Sequence, residues 1–284
     1  MRLEAGQIAV VTGAGSGIGL AMCHQFARRG LDIVLVDVDE PTLETAVADL
    51  ARHSGRYRAM CVDVSDAAAM DALAARVLAE FGHVDLVCSN AGVLARRTVV
   101  WDVPERDVIW LFGVNVFGVY NALRSFLPVL IEQGRGHIVH TASNVGLEGI
   151  PGLGLYGATK HAVVGLTWSL MHELAELAPE VGVTLLCPGG THTNLHLAEK
   201  HRPEGLRESD ADQARERWPL PPRAEPARIP AEDVARQVVV AVERNQALVV
   251  TDSDAVAGIR SWLAAIEADL RRSPAESAPL ATAD

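Results

Sequence analysis

The stretch Gln7-Ile-Ala-Val-Val-Thr-Gly-Ala-Gly-Ser-Gly-Ile-Gly19 decides the fold. Ile8 to Thr12 reads as a short strand covered on both faces. Four glycines then punctuate a turn, and an amphipathic helical pattern runs from residue 18 to residue 29, with Gly30 as its cap. Strand, glycine turn and helix N-terminus in that order make an anion site, because free backbone N–H groups and the helix dipole converge on a diphosphate-sized point. The common fingerprint Gly-x-Gly-x-x-Gly is not met, since Ile18 stands where the third glycine belongs. The spacing present is Thr12-Gly13-x-x-x-Gly17-Ile18-Gly19, with Ser16 inside it. An ordinary tight βα turn is the plain alternative, and three glycines so placed at the head of a first strand weigh against it.

Working outward, strand and helix patterns alternate. Apolar segments near 7–12, 32–37, 57–62, 84–89, 136–142, 182–187 and 247–251 read as strands, mostly continuous as in a sheet covered on both faces. Helical patterns lie near 18–29, 41–52, 66–81, 104–132, 155–177 and 231–244, with a further one at 256–270. Such alternation implies a parallel sheet of about seven strands with right-handed crossovers, a doubly wound α/β domain of Rossmann type. One domain over residues 1–270 is expected, followed by a disordered tail at 271–284. The ligand crevice lies beyond the carboxyl ends of the strands. Asp37 closes the second strand there, where a carboxylate accepts hydrogen bonds from ribose hydroxyls and repels an added phosphate.

In Leu155-Tyr-Gly-Ala-Thr-Lys160, Tyr156 and Lys160 stand four residues apart and share one helix face. A free phenol ionises near pH ~10, and an adjacent fixed cation favours its ionised form. Alone the pair is common; its company gives it meaning. Thr12-Gly-Ala-Gly-Ser-Gly-Ile-Gly19, Asp63-Val64, Asn90-Ala-Gly92, Asn115, Ser143, Tyr156 with Lys160, and Pro188-Gly189 occur in that order, and Ser143 precedes Tyr156 by 156 − 143 = 13 residues. In these landmarks the chain resembles the short-chain dehydrogenase/reductase family, in its single-domain branch, from about residue 5 to about residue 250.

The resemblance implies a Ser-Tyr-Lys-Asn site that interconverts a secondary alcohol and a ketone with NAD. Tyr156 is then the general base, Ser143 a hydrogen-bond donor to the substrate oxygen, and Lys160 the cation beside the phenol. Asn115 anchors a water that links Lys160 to solvent. The cofactor falls to Gly13, Ser16, Gly17, Ile18 and Gly19 at the diphosphate, Asp37 at the ribose, and Asp63 with Val64 at the adenine. Asn90, Ala91 and Gly92 pass close to it, Tyr156 and Lys160 hold it, and Pro188, Gly189, Thr191 and Thr193 line its nicotinamide. Two departures from the family pattern appear: Ser89 replaces a second Asn, and Ala142 replaces the first of two serines. Asp37, with Ser16 where a basic residue would mark the phosphorylated cofactor, favours NAD over NADP and oxidation as the working direction.

Substrate choice is expected from a lid at about 194–228, too long for an ordinary connection and centred on Trp218-Pro-Leu-Pro-Pro222. Leu147, Ile150, Leu153, Leu195 and Trp218 would give an apolar wall, which points to a bulky steroid, terpenoid or aromatic alcohol. Val163, Val164, Leu166, Trp168, Leu170 and Met171 make a broad apolar helix face, and the family's habit is a homodimer or homotetramer built through its long helices.

A net charge of −11 on 284 residues argues against nucleic acid or an anionic membrane as partner. No apolar run reaches the ~18 residues of a membrane span, and no secretory pattern opens the chain. Cys23, Cys61, Cys88 and Cys187 are scattered without metal spacing, so buried reduced thiols, no metal and a cytoplasmic address are expected. Two rival classes share the fold: a dinucleotide-sensing regulator without chemistry, and another Rossmann-type enzyme such as a methyltransferase. The retained Ser, Tyr and Lys speak against the first, and the ordered landmarks against the second.

Overall fold

Seven strands run parallel: β1 (Ile8–Thr12), β2 (Asp32–Asp37), β3 (Tyr57–Cys61), β4 (Leu86–Ser89), β5 (Gly136–Thr141), β6 (Val181–Cys187) and β7 (Leu248–Val250). Their order in the sheet is β3-β2-β1-β4-β5-β6-β7, so the winding reverses between β1 and β4. The register sets Ala9 beside both Ile33 and Leu86. This computed structural model describes residues 1–208, 218–220, 227–251 and 253–271. Most of the lid's second half, at 209–217 and 221–226, and the tail from 272 lie outside the described residues.

Helices cover both faces. α1 (Gly17–Ala27), α2 (Glu40–Leu50) and α7 (Ala231–Arg244) pack with Val11, Leu35 and Cys88 on one side. α3 (Ala67–Phe81), α5 (Gly118–Gln133) and α6 (Gly154–Leu177) pack with Val10, Val34 and Ile138 on the other. α4 (Glu105–Phe112) precedes α5, and α8 (Ser253–Leu270) follows β7. Local chemistry sets the ends. The Asp39 carboxylate caps α2 by accepting from Thr42 N, and Asp66 caps α3 by accepting from Ala68 N and Ala69 N. Gly82 ends α3 in the left-handed conformation.

Three expectations need correction. The helix expected over 104–132 is two helices joined by a π turn at Gly113–Phe117, in which Gly118 N donates to Gly113 O. The added residue turns Asn115 inward, where it is fully buried. Second, this same stretch, Glu105–Gln133, is long and apolar enough to pass for a membrane span, with an 18-residue window of mean hydropathy 1.4. Its inward face, including Phe126, Leu130 and the polar Asn121, is buried against the sheet and α3, as in a core helix. Third, β3 is an edge strand exposed at Arg58, Ala59 and Cys61, so Cys61 is an exposed thiol while the other three are buried. The apolar face of α6 serves the core in part: Val163 and Leu170 are buried, Leu166 and Met171 pack against buried clusters, and Trp168 is exposed.

The amino ends of the strands are pinned by two buried carboxylates. Asp85 accepts from Ile8 N at 2.9 Å and pairs with Arg135 and His83 at 3.2 Å. Asp32 accepts from Arg56 N at 2.7 Å and pairs with its guanidinium at 2.6 Å.

Two histidines lie inside β5. His137 Nε2 lies 2.8 Å from Thr184 Oγ1, which itself donates to Gln246 O. His140 Nδ1 lies 3.0 Å from Thr167 Oγ1, which donates to Val163 O. Each threonine has its proton committed, so each ring nitrogen is the donor. Burial pushes His137 down to about 3 and His140 down to about 4. Their folded values are depressed, so their contribution to stability is complete above the unfolded value of about 6.5 and is lost as pH falls toward 4 and 3. Urea midpoints are expected to hold at about pH 7 and drop toward pH 4. His140→Leu should recover roughly 3 kcal/mol of that drop, since Thr167 keeps its bond to Val163. Equal acid sensitivity in the variant would remove His140 as a cause.

Candidate active site

The glycine turn closes on itself. Gly13 has φ +66°, and a Cβ there would fall 2.9 Å from Ala91 Cα. A Cβ on Gly19 would fall 2.1 Å from Gly13 O, so α1 can start this close to β1 only without side chains. Asp37 locks the turn from below: Oδ2 accepts from Gly15 N at 2.9 Å, and Oδ1 accepts from Val38 N at 2.8 Å. Next to it, Asp39 meets Lys200 at 2.9 Å and His201 at 3.3 Å, both reaching over from the segment after β6. The hydrogen bond from the Lys200 ammonium holds the Asp39 carboxyl below the usual carboxylate range. This end of the site thus carries two acidic and two basic side chains.

Thr12 and Asn90 stitch the strand ends together. Thr12 Oγ1 accepts from Asn90 N and Ala91 N at 2.9 and 3.0 Å, and Asn90 Nδ2 returns a bond to Thr12 O at 3.0 Å. Asn115 holds the next turn: its Oδ1 accepts from Val93 N at 2.8 Å, and its Nδ2 donates to Val93 O and Thr159 Oγ1. Thr159 in turn donates to Tyr156 O at 2.7 Å, so the π turn is tied to the first turn of α6. A Cβ on Gly92 would lie 3.4 Å from both Asn115 Oδ1 and Lys160 Nζ, which places these two side chains around one small gap.

Tyr156 and Lys160 come up from α6 beside Ser143, at the carboxyl end of β5. Lys160 is buried and donates to Thr141 O at 3.0 Å, with Nζ 5.7 Å from the Tyr156 ring centre. Burial lowers its pKa to about 8. Burial also pushes Tyr156 up to about 12, and the hydrogen bond with Ser143 pulls it back in part. In the protein alone burial thus outweighs the hydrogen bond from Ser143 and holds the phenol above its ordinary value.

A cavity of about 470 Å³ opens across these elements. Gly13, Ser16, Gly17, Ile18 and Asp37 line one end; Asp63, Val64, Asn90, Ala91 and Gly92 the middle; Tyr156, Lys160, Pro188, Thr193 and Leu195 the other. Gly19, Ser143, Gly189 and Thr191 are outside the lining: Gly19 sits against Gly13 O, Ser143 is buried beside Tyr156, and Gly189 and Thr191 are held by Thr251 Oγ1 and by a bridge to Ile229. Leu147 and Ile150 are outside it too; Leu147 packs against the core around Val163, and Leu153 borders a separate small recess by Tyr156. The apolar wall comes instead from Val93, Ile109, Trp110, Val114, Leu197 and Leu206. Trp218 stands exposed, with its ring edge-on to Trp101 at 6.0 Å.

The strap after β6 is anchored by a buried ion pair that sequence reading missed. Arg202 donates to Asp107 Oδ1 at 2.7 Å, lies 4.0 Å over the Trp110 ring, and pairs with Glu199. The side chains of Arg202 and Asp107 are 1% and 2% exposed, so neither meets water. Ninety-five residues separate them, and no local signal joins them.

Donors, glycine cradle and cavity together fit a dinucleotide. A profile of short chain dehydrogenases matches residues 7–203. The 1-deoxy-11-beta-hydroxypentalenate dehydrogenase of Streptomyces exfoliatus is 38% identical over 189 residues, 66% of this chain and 68% of the relative. A short chain dehydrogenase/reductase from Burkholderia phymatum, solved in complex with NAD, is 36% identical with a TM-score of 0.85, covering 99% of this chain and 100% of that one. An alcohol dehydrogenase from Thermococcus sibiricus, complexed with 5-hydroxy-NADP, is 25% identical with a TM-score of 0.70, covering 86% and 95%.

Proposed function

The chain belongs to the short-chain dehydrogenase family, and from that premise we propose that this oxidoreductase interconverts a secondary alcohol and a ketone with NAD. The observation that carries the reading is a Ser143 hydroxyl bonded to the Tyr156 phenol, with Tyr156 and Lys160 lining one end of a cavity whose other end is a glycine cradle closed by Asp37. Gly13 to Gly19 hold the diphosphate by their backbone, Asp37 the adenosine ribose, Asp63 and Val64 the adenine, and Pro188 with Thr193 the nicotinamide. When bound, that ring takes or returns a hydride at its C4 carbon.

The chain's own residues handle the oxygen. Ser143 donates a hydrogen bond to the substrate oxygen and favours the charge that grows there. Tyr156 takes the hydroxyl proton during oxidation and returns it during reduction. Lys160, held by Thr141 O, keeps a positive charge beside the phenol, and Asn115 fixes the helix that carries both. The aliphatic and aromatic wall favours a bulky hydrophobic substrate, in line with a Streptomyces relative named for an 11-beta-hydroxy compound. We assign the working place to the cytoplasm, and the assembly to a homodimer or homotetramer through α5 and α6, where Tyr120 and Trp168 are exposed.

The test is turnover of a panel of secondary alcohols, followed at the absorbance of reduced nicotinamide, with NAD and NADP side by side. Wild type should prefer NAD. Asp37→Asn keeps an acceptor for Gly15 N and removes the charge, so the NADP/NAD ratio of kcat/KM should rise by about tenfold to hundredfold. Lys200 and His201 stand ready to attract the added phosphate. An unchanged ratio would take discrimination away from Asp37.

A further inference from the structure

Ser143 is held by a relay reaching away from the cavity. Its hydroxyl donates to Asn144 Oδ1 at 3.1 Å and leans toward Pro188 O at 3.4 Å. The Asn144 amide is fixed from its other side, where Nδ2 donates to Glu148 Oε1 at 3.2 Å. A carboxylate only accepts, so Glu148 selects the amide orientation that turns the Asn144 oxygen toward Ser143. The backbone agrees: Asn144 N donates to Pro188 O, and Gly146 N donates to Ser143 O, closing a short 3-10 turn. Glu148 then meets the C-terminal helix. A Cβ on Gly258 of α8 would fall 2.5 Å from Glu148 Oε2, so a glycine there lets the helix settle against the carboxylate.

We propose that Asn144 and Glu148 are positioning residues for Ser143, and that α8, through Gly258, keeps their relay in register. The proposal rests on the reading of Ser143 as the donor to the substrate oxygen. One hydroxyl has one proton. While the Tyr156 phenol is neutral, Ser143 gives that proton to Asn144 and offers its lone pairs to the phenol. When charge appears on the phenol or on the substrate oxygen, the Ser143 O–H turns by rotation about one bond and donates there. No covalent bond changes. The Asn144 oxygen defines the resting position from which the hydroxyl turns, and its distance from Glu148 limits how far the serine can wander.

Four variants test this: Asn144→Leu and Glu148→Leu remove the acceptors, Glu148→Gln keeps one, and Gly258→Ala pushes Glu148 aside from outside the cavity. A misplacement of about 1 Å can cost on the order of 10²-fold, and a loosened serine rotamer is expected to cost about tenfold in kcat. KM for NAD should stay unchanged. The rising limb of the kcat–pH profile should move to higher pH in Asn144→Leu and Glu148→Leu, because the phenolate loses a reliable donor. Glu148→Gln should return to within about twofold of wild type, with Gly258→Ala between. Ultraviolet titration of the Tyr156 phenol, taken as the difference from Tyr156→Phe in each background, gives a second readout without turnover. Wild type inactive on every alcohol would refute the dehydrogenase reading, and the phenol titration would then decide the relay alone. Unmoved kcat, pH limb and titration in Asn144→Leu and Glu148→Leu overturn the proposal. So does a Glu148→Gln as slow as Glu148→Leu.

Discussion

Tyr156→Phe is expected to lower kcat for alcohol oxidation by about 10²- to 10⁴-fold, the range that a lost proton-transfer group commands. The ring keeps its half-buried place on α6, since Thr159 holds the Tyr156 carbonyl and not the hydroxyl. Lys160 cannot stand in, because its ammonium donates to Thr141 O and carries no acceptor. NAD affinity, measured by calorimetry, should therefore change little while turnover collapses. The pH profile gives the sign. Oxidation needs the phenol as a base, and burial raises its pKa to about 12 in the protein alone, so wild-type rates should climb with pH until the phenol in the working complex is ionised. The variant should show no such limb. Wild-type turnover in Tyr156→Phe would take the residue out of the chemistry.

Asp107→Ala carries the second large effect. It leaves the Arg202 guanidinium buried with Glu199 as its remaining ionic partner, and Glu199 is half exposed. Removing one partner of a buried pair costs about 3–5 kcal/mol. The strap from Leu195 to Leu206 lies over the cavity rather than in the sheet, so the loss should appear as local opening before global unfolding. Amide exchange in the strap should quicken and KM for both ligands should rise, with a smaller change in Tm. The double variant Asp107→Leu with Arg202→Met replaces charge by apolar volume against Trp110 and should recover most of the stability. Equal exchange rates in wild type and Asp107→Ala would show that the pair does not hold the strap.

Much of this was legible because it is local. The run from Ile8 to Gly19 contains strand, turn and helix start within twelve consecutive residues, and the spacing of Tyr156 and Lys160 is set by a single helix. Asn115 was readable as a buried polar group in an apolar stretch, yet the π turn that aims it was not, since it adds one residue to a helix without a marker such as proline. Cys61 was misplaced because exposure depends on strand order, and an edge position is a property of the whole sheet. Arg202 looked like one more charge in a charged segment; only folding brings Asp107 and Trp110 to it. Leu147 illustrates the converse. Its neighbourhood in sequence is the serine turn, but its side chain goes to the core, and the cavity wall is drawn from the strap and α4 instead.

The pair of sunken aspartates at the strands' starting ends, Asp32 and Asp85, has a bearing on how such a chain can be altered. They grip the architecture from the pole farthest from the reacting groups, so durability and chemistry are written on opposite ends of the same staves. A directed-evolution campaign can rewrite the reactive pole extensively for a new substrate while those two anchors keep the open sheet in place.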